Sequence, residues 1–497
     1  AVAIRWPYIN LVPCWSAGNE NNLALAILNG ARPLTNQNPH LGALSPYIVA
    51  LFLRIFGFHS LVPRLVPFLF GIATILFTWR LGHRIGSART GIIAATLMCA
   101  AWYHVVFSSH YPWSNSLTPF FAVTFLFILS HVQNSTKPIL LSVLAGLVFG
   151  MGMQTHPEMV TLIPVIVLVL VLQHKHALNW LKQPVPWLMI VGGAVGYGNM
   201  LYYNIVNRFQ SVEFGLTYPE YALTKEYTAT SITSNYIHEF LYLPRIFLGL
   251  HNDAISWSSY AAHPMIWLFW SLVIAGMVIT VRQHRFIVPA AFLSSFLIIP
   301  AINSNYSLNL GRYLVFMFPP AVILAAETMN ALLSLKQSKI PVQLIRWSTM
   351  IILILIFMFP VAQIQSYYEF CSSNGLTRER FHRLDTLISQ SGLKNPLIIL
   401  DQETGEGDDF NQYLREEGYN VAYVKLRDNR GRFNGEQTLR EEIAKSSTAR
   451  DIDGAILVLA PWTRYEVLQR IPTRRMLGQV DIRFQDDFVD FYRVYLL

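Results

Sequence analysis

Acid is nearly missing from the first 366 residues of this chain. Glu20, Glu158, Glu213, Glu220, Glu226, Glu239, Asp253 and Glu327 are its only carboxylates there, against 19 Lys and Arg. Charge of either sign is scarce throughout, at 13% of 497 residues, where a soluble domain carries roughly 25%. With 53% hydrophobic residues, this excludes an ordinary soluble fold and makes the chain a membrane protein. Cysteine is equally sparse: Cys14, Cys99 and Cys371 are too few for a disulfide framework and lack metal-ligand spacing. A Cys14–Cys371 pair needs both in one compartment. The middles of the long apolar runs hold almost no ionisable group, which argues against a transporter burying acids, His or Lys at mid-membrane. There are no internal repeats or low-complexity tracts. The formal charge of +8 calls for no nucleic acid, because basic membrane loops account for it.

What is present is a series of apolar stretches, each about as long as a crossing helix of about 20 residues. They fall near 65–82, 90–107, 117–132, 138–155, 158–173, 185–204, 265–281, 286–302, 313–333 and 347–365. Alternate loops between them hold Arg80, Arg84 and Arg89; Lys137; Lys175 and Lys182; Arg282 and Arg285; and Lys336, Lys339 and Arg346. The opposite short loops hold only Arg312. The positive-inside rule then places outer loops 1–64 and 205–262 and the C-terminal tail outside the cytoplasm. The expected location is the cytoplasmic (inner) membrane, with many passes and an extracytoplasmic C-terminal domain. "LSPYIVALFLRIFGFHS", bracketed by Pro46 and Pro63 and carrying Arg54, is too short to cross comfortably and is expected to lie along the outer interface. The chain opens on "AVAIRWPYINLVPCW", already outside by this count, so an earlier first span is expected before it.

From Tyr367 onward the balance inverts to 18 basic against 21 acidic residues. "RERFHRLDTLISQSG" has helical periodicity, while "NPLIILD", "YNVAYVKL", "DGAILVLA" and "FVDFYRVYLL" have strand character. Alternation with helical runs predicts a soluble α/β domain over 367–497, beside a transmembrane domain over 1–366. Its acidic stretch "LDQETGEGDDF" (Asp401, Glu403, Glu406, Asp408, Asp409) lacks an EF-hand pattern and reads as a solvated loop.

Seven of the eight acids of the body fall on the outer face, so chemistry is expected at the outer membrane surface. Glu20, in "SAGNENNLALAILNG", follows Asn19, a good helix N-cap. Spacing alone leaves two roles open for Glu20: complementing a helix dipole, or acting as a general base at the lipid–water boundary. The Tyr- and Ser/Thr-rich loop 205–262 suits sugar stacking, or marks a membrane interface as Trp and Tyr often do. Its "HEFLYLPRIFLGL" is a candidate second interfacial helix.

The order of segments resembles the GT-C superfamily of polyprenyl-phosphate-sugar-dependent glycosyltransferases, especially bacterial relatives of the protein O-mannosyltransferases and of the aminoarabinose lipid A transferase. The family's first outer loop carries an acidic pair before an "A..IL.G" helix, and "NENNLALAILNG" sets Asn19 and Glu20 at that pair. "NPHLGALSPYIVALFLRIFG" fits the family's next element with His40 and Arg54 in register, and "PRLVPFLFG" follows with Arg64. "SSHYPWSNSLTPFF" puts His110 and Asn115 at its Arg and Asp/Asn positions. "GMGMQTHPEM" supplies His156, and "NLGRYLVFMFPPAVILAA" supplies Arg312 and Tyr313. Each motif is weak alone; their order and common sidedness carry the resemblance across the whole body.

The resemblance implies a polytopic α-helical membrane protein that moves a sugar from a polyprenyl-phosphate donor to an acceptor hydroxyl on a lipid, protein or glycan, with inversion. Membrane lipids surround it. A carboxylate takes the hydroxyl proton and cationic donors meet the departing phosphate. Glu20 and Asn19 stand at the catalytic pair. Arg312 and Tyr313 are the leading donor-site residues, with His110, Asn115, His156, His40, Arg245 and Lys225 as further candidates. Arg312 also reads as an interfacial snorkelling arginine, and the two loop histidines as polar residues satisfied by backbone. No metal site is apparent, although some of the family use a divalent cation. One departure matters: Asn19 stands where the family's catalytic acid is usually assigned. The alternative is therefore an inactive GT-C fold kept as a structural or lipid-binding subunit among other membrane-complex subunits.

Overall fold

The computed structural model describes residues 1–9, 18–36, 38–57, 61–110, 113–132, 135–172, 182–217, 229–250, 263–302, 311–336, 341–374, 378–401, 418–424, 441, 454–459, 475–483 and 489–496. Its contacts divide the chain into two compact units. One comprises residues 1–6, 31–48 and 66–365; the other comprises 7–30, 49–65 and 366–497.

Each of the ten expected apolar stretches is a helix or a helix pair. Six are long and apolar enough to cross a membrane: Leu61–Ile85, Ser114–Val132, Pro138–Thr155, Pro264–Arg282, Gly311–Leu333 and Val342–Glu369. A seventh is the pair Ala88–Ala100 and Trp102–Ser109, bent by 63°. The remaining three, Pro157–Val169, Pro184–Gly196 and Ile287–Ala301, are shorter. Several start on proline (Pro138, Pro184, Pro264), where the missing N–H would be unsatisfied anyway and φ is already helical. The stretch expected at the interface is the 13-residue helix Leu44–Phe56, about 20 Å long at 1.5 Å per residue. Leu51, Ile55 and Phe56 are exposed on it.

Helix packing in the first unit relies on small residues that let backbones meet, as is common between helices in lipid. Along the contact between Pro138–Thr155 and Pro184–Gly196, a Cβ built on Gly146 would collide with the Met189 carbonyl. Gln154 donates Nε2 to Gly196 O at 2.6 Å across the same seam. The 63° bend is stapled by Arg5, which is fully buried. Its Nη1 reaches Cys99 O at 3.4 Å, Nη2 lies 2.9 Å from His104 Nδ1, and Nε donates to Ser108 Oγ at 3.1 Å. The guanidinium thus satisfies groups on both sides of the break. Glu327 is buried against Gly86 and Thr90, beside the first turn of the helix Ala88–Ala100. A carboxylate is stabilised by the positive end of a helix dipole.

The segment expected as a second interfacial helix lies within Ala229–Leu248 and is packed into the body instead. Leu241, Leu243, Ile246, Phe247 and Leu248 are buried, and Trp270 Nε1 donates to Phe240 O at 2.8 Å with the two rings stacked. Apolar side chains around most of its circumference find helix partners, which a surface helix does not offer.

In the second unit, strands β1 (Pro396–Asp401), β2 (Asn420–Val424), β3 (Gly454–Leu459), β4 (Arg475–Arg483) and β5 (Val489–Leu496) form one sheet in the order β2-β1-β3-β5-β4. β1 pairs parallel with β2 and β3, and the β3–β5 and β4–β5 pairs are antiparallel. Leu397–Leu400 are all buried, as expected of a central parallel strand covered on both faces. Four strands coincide with the runs expected from sequence. β4, an edge strand with a register shift between Met476 and Gly478, was not expected: edges tolerate the charge and glycine that hide a strand from pattern reading. The helix Arg378–Gln390 buries Leu384, Leu387 and Ile388, one face at helical spacing. The helix Gly18–Leu28 stops at Gly30, whose φ of 96° is the left-handed conformation glycine supplies at a helix end. Asn19 therefore lies in the first turn of this helix and does not cap it.

Replacing Gly146 by valine is expected to destabilise the body by roughly 3 kcal/mol, the upper range for overpacking, because the group in the way is backbone. The thermal midpoint of the purified protein in detergent checks this; an unchanged midpoint refutes the seam.

Candidate functional site

Three breaks in helical structure meet in the first unit. At the first, Trp113 precedes the 3-10 turn Ser114–Leu117. At the second, His156 ends the helix Pro138–Thr155 with extended backbone (φ −163°, ψ 138°) before Pro157 opens a 3-10 turn. The third is the 3-10 turn Gly311–Tyr313. Proline after His156 disfavours the α conformation at His156, so the imidazole leaves the helix at that point. Thr118 and Thr155 join the first two breaks by a 2.9 Å hydroxyl contact, and Gly42 N donates to Gln154 O at 2.9 Å, bringing in the loop that carries His40.

Arg312, half-buried, is the cation of this cluster. Its guanidinium carbon lies 4.8 Å from the Trp113 ring centre and 4.9 Å from that of Tyr313, and Nη2 donates to the Tyr313 hydroxyl at 3.0 Å. Each aromatic face contributes about 1 kcal/mol. Two faces and a hydrogen bond fix the plane of the guanidinium. Gly311 is required beside it: a Cβ there would come within 2.9 Å of Tyr103 Cε2. The Tyr313 ring packs on His156 (4.8 Å between centres), and His156 meets His40 edge-on at 6.4 Å. His40 in turn stacks on Phe214 at 5.1 Å.

His156 Nδ1 lies 3.3 Å from Glu158 Oε2, close but without hydrogen-bond alignment. Glu239, from the helix Ala229–Leu248, is fully buried and feels the charge of Glu158. Burial pushes the Glu239 carboxyl well above the usual carboxylate range, and the neighbouring Glu158 adds to this. Burial likewise lowers His40 to about 3, with His156 contributing, and lowers His156 to about 3, with Arg312 contributing. Both imidazoles are therefore neutral at pH 7. They offer one donor and one acceptor each, and Arg312 carries the fixed positive charge. Among the described residues, no group of three or more His, Cys, Asp or Glu is arranged to hold a metal ion.

Of the residues expected from sequence, His40, His156, Arg312 and Tyr313 come together here. Asn115 is buried two residues beyond Trp113. Arg245 is placed differently: its Nε donates to Leu250 O at 2.8 Å, closing the end of its own helix. Asn19 and Glu20 lie at the start of the helix Gly18–Leu28 and His110 at the end of Trp102–His110, with side chains outside the described set. Lys225, Cys14 and the acidic loop after Asp401 also lie outside the described residues, as does the Cys371 side chain. Sequence reasoning missed Trp113, Tyr103, Phe214, Glu158 and Glu239 as members of this neighbourhood. Only Glu158 had a local signal, standing two residues past His156 across a proline.

The comparisons accord with this architecture. Residues 40–203 match the family model described as dolichyl-phosphate-mannose-protein mannosyltransferase. No protein among the curated sequences matches the chain. Among solved structures, ArnT from Cupriavidus metallidurans bound to undecaprenyl phosphate is similar with a TM-score of 0.60 and 13% identity, covering 100% of this chain and 96% of that one. Its apo form matches equally. The Archaeoglobus fulgidus oligosaccharyltransferase in complex with Zn and sulfate is similar at a TM-score of 0.51 and 10% identity, over 92% of this chain and 66% of that one.

Neutral buried histidines make stability fall with acid. Between pH 6.5 and about 3 the unfolded chain binds protons that the folded cluster refuses, so folding weakens as pH drops through that window. At one unit below 6.5 each histidine is expected to cost roughly 1 kcal/mol. Comparing thermal midpoints at pH 7.5 and 5.5, His40→Asn should show a smaller loss than the parent; an equal loss refutes the assignment. Residues 40–203 thus match the model of that mannosyltransferase family, and the chain as a whole is a multi-pass membrane protein whose fold is similar to that of ArnT.

Proposed function

We propose that the protein transfers a sugar from a polyprenyl-phosphate donor to an acceptor hydroxyl at the outer face of the cytoplasmic membrane. The observation that carries this reading is Arg312, a fixed cation clamped between Trp113 and Tyr313 among imidazoles held neutral. A positive charge fixed in partly buried surroundings suits a phosphate monoanion entering from lipid. The likeness to a structure with undecaprenyl phosphate bound supports the same ligand class here. The loop charge pattern supports an outer site and an extracytoplasmic tail.

In the proposed reaction the acceptor oxygen attacks the anomeric carbon from the face opposite the phosphate. The bond from that carbon to the phosphate oxygen breaks, its electron pair leaves with the polyprenyl phosphate, and the anomeric configuration inverts. Arg312 offsets the charge growing on the departing phosphate, the type of stabilisation worth most in catalysis. The hydroxyl proton passes to a carboxylate, and Glu20 is assigned this role on the resemblance of "NENNLALAILNG" to the family's acidic pair. A neutral imidazole at His156 or His40 is suited to hydrogen-bond the substrate without competing for the phosphate charge.

A second reading rests on Asn19, which replaces the family's usual acid with a side chain that accepts no proton. Under it the chain is a lipid-binding subunit of a membrane complex. Native mass spectrometry after gentle extraction from the protein's own membranes separates the two. A polyprenyl phosphate or its glycosylated form, carried on a lone chain and lost in Arg312→Ala, is the expected result. A fixed-mass complex with other subunits and no prenyl lipid favours the subunit instead.

Once the donor is known, Arg312→Ala is expected to slow transfer at least roughly hundredfold, the loss seen when one charge-stabilising donor is removed. Glu20→Gln is expected to abolish transfer while retaining the bound lipid. Full turnover in Glu20→Gln would sink that assignment, and unchanged turnover in Arg312→Ala would sink the phosphate site.

A further inference from the structure

The cluster holds more carboxylate than its protein neighbours satisfy. Glu239 is fully buried, and neither of its oxygens has a hydrogen-bond partner among the described residues. Glu158, only 5% exposed, sets Oε2 near His156 and has no partner for Oε1 among the described residues. The two acids come from separate elements, the turn after His156 and the helix Ala229–Leu248. Both elements are seated on the helix Ile287–Ile302: Thr161 Oγ1 lies 2.8 Å from Ser295 Oγ, and Asn235 Nδ2 donates to Pro300 O at 3.0 Å. The helix Ala229–Leu248 also reaches the turn that carries Arg312: a Cβ on Gly311 would come within 3.2 Å of Ile246 Cγ2, and Glu239 lies two turns before Ile246 on the same side of that helix.

Buried carboxyl oxygens in folded proteins are nearly always hydrogen-bonded, and leaving them bare is costly. Three bare oxygens beside the proposed phosphate site therefore call for donors that a ligand brings. A phosphate cannot supply them, being an anion itself, and a prenyl chain has none. The hydroxyls of a sugar ring can, since neighbouring hydroxyls present two O–H groups to one carboxyl, and a protonated carboxyl also gives one back. Resting on the reading that the donor phosphate meets Arg312, we infer that Glu158 and Glu239 form the subsite for the donor's sugar ring, recognising it through its hydroxyls. The division of labour is then by chemistry: the arginine binds what all polyprenyl-phosphate donors share, and the two acids select among the sugars.

The test uses the full chain in lipid nanodiscs, titrated with undecaprenyl phosphate and with its glucosyl, mannosyl, galactosyl and N-acetylglucosaminyl esters. Wild type, E158Q, E239Q and R312A are compared, and each variant's thermal midpoint is recorded without added lipid. At least one ester is expected to bind wild type about tenfold more tightly than undecaprenyl phosphate, the effect of roughly one good hydrogen bond. E158Q and E239Q should erase that advantage while keeping the affinity for undecaprenyl phosphate within about twofold. E239Q should also melt close to wild type, because an isosteric neutral amide replaces a carboxyl that burial already holds neutral. A sugar preference that survives in both Gln variants overturns the subsite, as does the lack of any preference in a wild type that binds undecaprenyl phosphate. A fall in the E239Q midpoint with loss of all binding shows a structural carboxyl and overturns it too. If wild type fails to bind undecaprenyl phosphate, or R312A binds it unchanged, the phosphate reading fails and the subsite falls with it.

Discussion

Charge in a body with so little water has to be compensated on the spot, and much of this architecture follows from how each charged group meets that demand. The penalty for a bare buried ion amounts to several kcal/mol, so few ionisable groups are present and each has a distinct surrounding. Arg5 spreads its N–H groups over carbonyls, a hydroxyl and an imidazole. Glu327 sits beside a helix start. Arg312 rests between two aromatic faces, which lower the cost of its charge. Glu158, Glu239 and Glu327 each keep at least one buried oxygen that no described group hydrogen-bonds, and of these Glu158 stands beside His156 in the candidate site. Proteins retain such exceptions where function needs them.

The way the helices break is part of the same economy. A continuous helix satisfies its own backbone and presents side chains only sideways into neighbours or lipid. At His156, at Trp113 and at Gly311 the ladder is interrupted, and there the chain can turn polar side chains inward. These interruptions are tolerated because they lie inside protein: Tyr313, Ser114, Asn115 and Ser116 are all buried. The bend stapled by Arg5 belongs to the segment that carries Tyr103, which packs on Gly311. Helix packing, helix breaking and the placing of the cation are thus one structural problem.

Much of the fold was legible because the signals were long and repeated. Ten apolar stretches coincide with helices or helix pairs, since burying a 20-residue helix in lipid leaves no other solution for the backbone. The central strands of the tail were legible as short apolar runs, whereas β4 was hidden by its arginines and its irregular register. The helix Ala229–Leu248 was misjudged as a surface element because its composition suits an interface, while its surroundings make it a core helix. For the candidate site, the order of weak motifs pointed to His40, His156, Arg312 and Tyr313, which the structure gathers. It did not point to Glu239, about 80 residues away from Glu158 in the chain, or to the ring of Trp113 beneath Arg312.

Sequence by itself determined the membrane class, the run of helices and four of the five strands near the C-terminus. Those depend on composition and on periodicity within one segment, where hydrophobic burial and backbone hydrogen bonding act locally. Only the tertiary structure decided which polar groups share a neighbourhood and which carboxyls are left bare. Burial, charge coupling and hydrogen-bond satisfaction are sums over neighbours brought in from distant segments. The character of Glu158, Glu239 and Arg312 is therefore a property of the packed assembly, and no stretch of the chain carries it alone.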